Sequence, residues 1–390
     1  MPCRGFRPWS AIRMPNTKTK SATERLLSLD VFRGIAIAGM MLVNNPGSWE
    51  HIYWPLEHAQ WHGWTPTDLV FPFFLFIVGV AIPLAFGRRA ESGSKKRDIY
   101  LKVLKRTLII FAIGLFLNAF PNFNLAELRI PGVLQRIAVC YFIASIIFLN
   151  TRVTTQIIIA IALLIIYCLL LTYVPAPGFA AGDLSKEGSL PSFVDRMVFG
   201  KHVWAQAKVY DPEGVLSTLP AVVTTLIGVL TGQLLRTNKS AYQKAAGMFI
   251  GGMVCVVIGW AWNPFLPINK ALWTSSYVLF TAGLALQFLA FCYWLIDIKE
   301  YRRWTRPFEI FGVNAIALYV GSEIMADLLG LIKVSGADGT KVPLQSWIYD
   351  NAFASWASPI NASLAFAIAF ILVWLGLMWI LYRGKILIRV

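Results

Sequence analysis

The stretch WPLEHAQWHGWTPTDLVFPFFLF, residues 54–76, changes character within a few residues, and that change decides the fold. Up to Asp68 it is polar and aromatic, with His58, His62, Trp54, Trp61 and Trp64; from Leu69 it is a run suited only to lipid. Three of the chain's four histidines, His51, His58 and His62, lie in or just before it, and His202 is the fourth.

The rest of the chain repeats the apolar half of this pattern. Of 390 residues 57% are hydrophobic and only 14% charged, too little polar surface for a soluble protein of this size. Apolar runs of about 20 residues, the length that crosses a bilayer, lie near 28–45, 67–87, 101–119, 132–149, 154–174, 214–235, 245–262, 274–297, 308–330 and 360–382. They are too long and too uniformly apolar to be barrel strands, and backbone in lipid must bond within its own segment. The expected architecture is an all-α polytopic membrane bundle of about ten transmembrane helices over residues 26–390. Residues 1–25 are basic and lack an apolar stretch, so they read as a flexible tail and not as a cleaved signal.

Charge sets the expected orientation. With both termini cytoplasmic, 25 of the 35 Lys/Arg fall on that side, 9 on the other, and Arg33 lies inside the first helix; this is the positive-inside bias. The net charge of +15 is thus mainly a topology signal, and nucleic-acid binding has no support beyond it. The densest basic run, 88–106, is a cytoplasmic face that also suits a phosphate-rich ligand. Cys140, Cys168, Cys255 and Cys292 are widely spaced within expected helices, and no metal-ligand spacing is present. Two long loops, 175–213 and 331–359, carry aromatics with Pro and Gly and are expected to pack as lids on the outer face.

The polar cluster of residues 51–68 therefore sits at the outer membrane boundary. Thr65-Pro66-Thr67-Asp68 reads as an N-cap, a proline at the first helical position and an acidic partner, and the tryptophans suit an interfacial belt. His58 has more specific company. Imidazole accepts a proton near neutral pH, and a carboxylate such as Asp68 would hold its tautomer. In the first helix Asp30 and Arg33 are three apart and can pair near the cytoplasmic end, while Asn44 lies roughly 21 Å further along the axis. Ionisable groups in a spanning segment are costly and turn inward. Asn314, in the middle of an expected helix, reads as a bond between helices.

Together "SLDVFRGIAIAGMMLVNN", "EHAQWHGWTPTDLVFPFFLFIVGVAI", "GVLQRIAVCYF", "NPFLPINKALWTSSYVLFTAG" and "FGVNAIALYVGSE" resemble the transmembrane heparan-α-glucosaminide N-acetyltransferase family and its bacterial relatives. The resemblance runs from about residue 25 to 382. It implies a multi-pass enzyme of a bacterial inner membrane that takes acetyl-CoA from the cytoplasm and acetylates the amino group of a terminal glucosamine on the other side. It also implies His58 as the active-site histidine, Asp68 as its partner and Asn44 as the site's asparagine; the chemistry then expected of Asn44 is donation to the thioester oxygen as negative charge builds there. The long N-terminal luminal domain of the animal enzyme has no counterpart in the sequence given, which leaves the acceptor more open than the chemistry.

Asp30, Arg33, Gln135 and Arg136 are then candidates for holding coenzyme A, with a structural pair between Arg136 and Glu323 or Asp327 as the alternative. Asn263, Asn269, Lys270 and Trp273 are candidates for the sugar, with Trp273 as an aromatic platform. A homodimer is expected from the large apolar helix faces. The competing reading is a sugar transporter without chemistry; against it stand the lack of internal repeats and the clustering of titratable groups at one boundary.

Overall fold

The computed structural model describes residues 26–91, 96–335 and 340–388, so the tail 1–25 and part of the basic run 88–106 lie outside the described residues. The first five long helices are α1 (Leu27–Asn44), α2 (Val70–Glu91), α3 (Lys96–Ala119), α4 (Val133–Asn150) and α5 (Val153–Tyr173). They are followed by a short α6 (Leu190–Phe199), then α7 (Thr218–Arg236), α8 (Ala241–Trp262) and α9 (Ser275–Cys292), which continues through a π-helical turn, Tyr293–Ile298. After α10 (Arg306–Val313) and α11 (Ala315–Leu331) come a hairpin of β1 (Lys333–Ser335) and β2 (Lys341–Pro343), then α12 (Leu344–Ala352) and α13 (Pro359–Arg383). The protein is an all-α multi-pass membrane protein.

All ten expected apolar runs are helical, but two depart from a simple span. Among the described residues, eight helices are long and apolar enough to cross a membrane. α3 carries Lys102, Lys105 and Arg106 in its first half and is not among them. The run 308–330, expected as one helix, is broken at Asn314 into α10 and α11, bent by 84°. At the break the Asn314 side chain donates to the Ile386 carbonyl at 3.0 Å and accepts from the Ile388 amide at 3.0 Å, gripping the chain after α13. Asn314 therefore anchors the C-terminal segment, where the sequence had suggested a bond between helices.

Close packing replaces the hydrophobic effect as the force between helices in lipid. α2 and α7 meet backbone to backbone: a Cβ on Gly79 would lie 2.0 Å from the Thr225 carbonyl oxygen, and one on Gly228 2.2 Å from that of Phe76. The central core joins α2, α4, α7 and α9 through Phe71, Leu75, Tyr141, Ala221, Leu226, Trp273 and Tyr277. α5 and α8 lie outside, exposing Ile158, Ile161, Ile165, Met253, Val254 and Val257.

One end of the bundle gathers the connections before α2, α4, α7, α9 and α13. The Gly63 amide donates to the Ile268 carbonyl at 2.8 Å, Trp61 Nε1 to the Leu184 carbonyl at 2.7 Å, and Gln345 Nε2 to the Pro46 carbonyl at 3.2 Å. The segment 175–213 packs here through α6, and 331–359 through the hairpin and α12. Arg129 braces the first of these lids with bonds to Asp211 Oδ1 at 2.7 Å, Asp211 Oδ2 at 2.9 Å and Glu213 Oε2 at 2.5 Å. This is the loop end; α1 starts and α13 finishes at the opposite, termini end.

Candidate active site

Residues 54–69 fold as two short 3₁₀ turns, Trp54–Leu56 and Pro66–Leu69, joined by an irregular loop. The expected capping box forms around the second. Thr65 donates its amide to Asp68 Oδ2 at 3.0 Å, and the Ala59 amide donates to the same oxygen at 3.1 Å. The other oxygen, Oδ1, faces His58 Nδ1 at 2.6 Å. A single buried carboxylate thus caps the helix with one oxygen and holds the histidine with the other. Because the carboxylate only accepts, His58 carries its proton on Nδ1, leaving Nε2 as the basic lone pair. Tyr277 fixes the turn from below, donating its hydroxyl to the Asp68 carbonyl at 2.6 Å.

His58 is about half exposed, at 53%, whereas Asp68 is 1% exposed. The pair therefore combines a dry orienting carboxylate with an accessible base, the arrangement a general base needs.

Lys270 joins them from the α8–α9 connection. Its Nζ lies 3.5 Å from Asp68 Oδ1 and at 3.0 and 3.2 Å from the two ring nitrogens of His58. A point nearly equidistant from both nitrogens, and clear of the carbon between them, sits over the face of the ring, so neither contact is an in-plane hydrogen bond. Burial pushes the Lys270 ammonium down from its ordinary pKa, and Asp68 and Glu213 oppose this. Burial also lowers His62, whose Nδ1 lies 3.4 Å from Asn269 Nδ2.

The other three residues expected near the sugar build the connection that carries Lys270. Asn263 Oδ1 accepts from the Ile268 amide at 2.8 Å, and Asn269 Oδ1 from the Leu272 amide at 2.8 Å. Trp273 is corrected outright as a sugar platform. It is fully buried, at 0%, with a left-handed φ of 53°, and packs edge-on against Phe71 and Tyr277. It has no face left for a ligand.

Asn44, at the end of α1, is exposed and donates to Glu323 Oε1 at 3.3 Å, with no bond to His58 or Asp68. Arg136 is 2% exposed and forms no pair with Glu323 or Asp327. It donates to the Gly214 carbonyl at 3.0 Å and to Ser217 Oγ at 2.5 Å, and its guanidinium lies 5.1 Å from the Trp273 ring centroid. Its role visible here is to hold the start of α7 against Trp273. Gln135 is buried beside Gly114 and Gly132.

A cavity of about 390 Å³ runs along the helices between the two ends. Asp30 and Arg33 line it at the termini end, with Arg33 Nη1 donating to Asp30 Oδ1 at 3.0 Å and to the Gly312 carbonyl at 3.3 Å. Along α2 its wall extends from Phe86 to Phe74, about 18 Å of helix, and Phe74 lies about 9 Å of rise from Asp68. Gln135 and Arg136 do not line it, but Arg106, Tyr141 and Tyr319 do. The sequence held a signal for Arg106. It shares the inward stripe of α3 with Ile99, Val103 and Ile110, at spacings of three and four, whereas Lys102 and Lys105 fall on the exposed side.

Comparison with known proteins places the chain in a family. A family model described as heparan-alpha-glucosaminide N-acetyltransferase, catalytic, matches residues 25–261, which include His58, Asp68, Asn44 and Arg106. The chain is 32% identical over 374 residues to the heparan-alpha-glucosaminide N-acetyltransferase of Mus musculus, covering 82% of this chain and 56% of that protein. It is 32% identical over 356 residues to that of Homo sapiens, covering 77% and 53% respectively. The chain therefore spans about half the length of these curated relatives. By the match over most of its length, the chain belongs to the heparan-α-glucosaminide N-acetyltransferase catalytic family.

Proposed function

We propose that this protein moves an acetyl group from acetyl-CoA, entering at the termini end, to the amino group of glucosamine or a glucosamine-terminated sugar at the loop end. On the positive-inside argument the termini end is cytoplasmic, and the membrane is a bacterial inner membrane. The observation that carries the reading is the His58–Asp68 pair at 2.6 Å, placed at one end of a bundle whose lengthwise cavity is lined by Asp30 and Arg33 toward the other.

In the proposed reaction the acceptor nitrogen attacks the thioester carbonyl carbon, its proton passes to His58 Nε2, and the carbon–sulfur bond breaks to release coenzyme A as a thiolate, which takes that proton from Nε2 and leaves as the thiol. Asp68 keeps the proton on Nδ1 and so keeps Nε2 basic. Lys270, in contact with both partners, keeps Asp68 in a charged, bonded setting. Asn44 is the amide proposed to donate to the carbonyl oxygen as negative charge builds, a contribution worth about 10²–10³ in rate for one donor. In this conformation its amide is occupied by Glu323, so the step requires a side-chain rotation. The acetyl arm passes from the Phe74 end of the cavity to His58 over the first turn of α2.

The test is release of free thiol by purified protein given acetyl-CoA and glucosamine, wild type against His58→Ala. Sugar-dependent release that is lost in the variant supports the proposal. Folded wild-type protein that releases no thiol with any amino sugar sinks it and favours transport of the unmodified sugar.

A further inference from the structure

Arg106 has no place in the chemistry at His58, yet it sits where a charge is hardest to keep. It lies about 15 Å along α3 from Lys96 at 1.5 Å per residue, well inside the bundle. Lys102 and Lys105, on the exposed side of the same helix, can extend toward the membrane surface. Arg106 instead turns inward and lines the cavity.

Its surroundings do not neutralise it. Among the described residues no carboxylate pairs with Arg106; its guanidinium lies over the Tyr141 ring at 5.1 Å, and Nε is buried without a hydrogen-bond partner. Arg33, which lines the termini end of the same cavity, is paired with Asp30. A guanidinium cannot shed its proton to escape burial, and it offers five donors in a fixed fork. An aromatic face offsets only part of the cost. A membrane-embedded cation that lines a cavity and lacks an anion is a ligand site by default.

We propose that Arg106 is an anion-binding residue inside the cavity and takes a phosphate-ester oxygen of the acyl donor, most simply the pyrophosphate that joins its pantetheine arm to its nucleotide. This rests on the donor reading above. Phosphate held at Arg106 orients the donor lengthwise, with its arm along the apolar wall from Ile82 to Phe74 and its thioester toward His58. Guanidinium is the side chain suited to such two-point recognition of phosphate. An anionic lipid headgroup offers the same chemistry, and the experiment separates the two sources.

The measurement is equilibrium binding of coenzyme A and of pantetheine, which lacks the phosphates, to the full chain in nanodiscs of zwitterionic lipid. Wild type, Arg106→Gln and Arg106→Lys are compared. Arg106→Gln is expected to lose about tenfold or more in affinity for coenzyme A, with pantetheine binding unchanged. Arg106→Lys, which keeps the charge and loses the fork, falls between. Equal affinity of wild type and Arg106→Gln for coenzyme A overturns the proposal. If Arg106→Gln does not fold, a lysine variant indistinguishable from wild type, including in the salt dependence of binding, overturns it as well. Adding phosphatidylglycerol should leave wild-type binding unchanged. Competition by that lipid in wild type but not in Arg106→Gln assigns the residue to lipid and overturns the donor assignment. Wild type that binds neither ligand removes the donor reading itself, an outcome distinct from failure at Arg106 alone.

Discussion

Asp68→Asn separates the two jobs of one carboxylate. Oδ2 accepts from the Thr65 and Ala59 amides, and Oδ1 faces His58 and Lys270. An asparagine placed there keeps its oxygen at the Oδ2 position, where two backbone donors demand an acceptor, so its NH₂ points at His58. Two donors cannot share one bond. The imidazole then moves its proton to Nε2 and presents Nδ1 as acceptor, which disables the base. The corresponding tautomer reversal in a serine protease lowers turnover about 10⁴-fold, and a loss of about 10³–10⁴ is expected here. Stability should change little, because both capping bonds survive and one charge-assisted bond, typically about 1.5–3 kcal/mol, becomes a neutral one. Asp68→Ala removes the cap too, adding about 0.5–2 kcal/mol. The assay is initial rate of thiol release beside thermal unfolding for both variants. An Asp68→Asn enzyme that unfolds like wild type yet keeps its rate within tenfold would refute the assignment of His58 as a base held by Asp68.

Further expectations follow from single contacts. Tyr277→Phe removes the hydroxyl bonded to the Asp68 carbonyl at 2.6 Å; a loss of about 1–3 kcal/mol in stability should accompany a fall in turnover, and thiol-release kinetics with an unchanged rate would contradict the support role. Asp195, in α6, is pushed up to about 7 by burial and by Asp211, while the Val215 amide and Arg136 pull the other way. Its folded pKa is raised, so between about pH 4 and 7 the folded state holds a proton that the unfolded state has lost, and this group costs stability progressively as pH rises. Relative to wild type, Asp195→Asn should therefore gain in melting temperature from pH 4 to 7; a constant difference across that range would rule this out. Gly79→Leu should fail to yield folded protein, since its Cβ would lie 2.0 Å from the Thr225 carbonyl oxygen, whereas Gly251→Leu, with open space around it, should purify normally. Size-exclusion profiles of the two variants compare them directly, and a monodisperse Gly79→Leu protein would refute the close contact of α2 with α7.

Much of the architecture was legible because lipid leaves the chain few choices. Each apolar run had to be a helix, and all ten are. Where the reading erred, the deciding contact came from elsewhere in the chain. Nothing near Asn314 announces that Ile386 and Ile388 will occupy its side chain. Arg136 likewise met a backbone carbonyl and a serine at the start of α7, not the carboxylates of α11 proposed from charge alone.

The candidate site divides along the same line. Asp68 and His58 are ten residues apart, within one turn-rich connection, so local chemistry brings them together and a sequence can suggest it. Lys270 is 212 residues from His58 and is carried there by a connection that Asn263 and Asn269 shape and that Trp273, in left-handed backbone and fully buried, packs against α2. The tryptophan that looked like a binding surface thus helps position the lysine. Of two residues both expected at the sugar, the aromatic ring went to the core and the long cation lies at the carboxylate. Composition at a membrane boundary identifies which residues are available for chemistry, but a buried ring three positions from a charged one helps settle where that charge is held, and that depends on packing against helices far away in sequence.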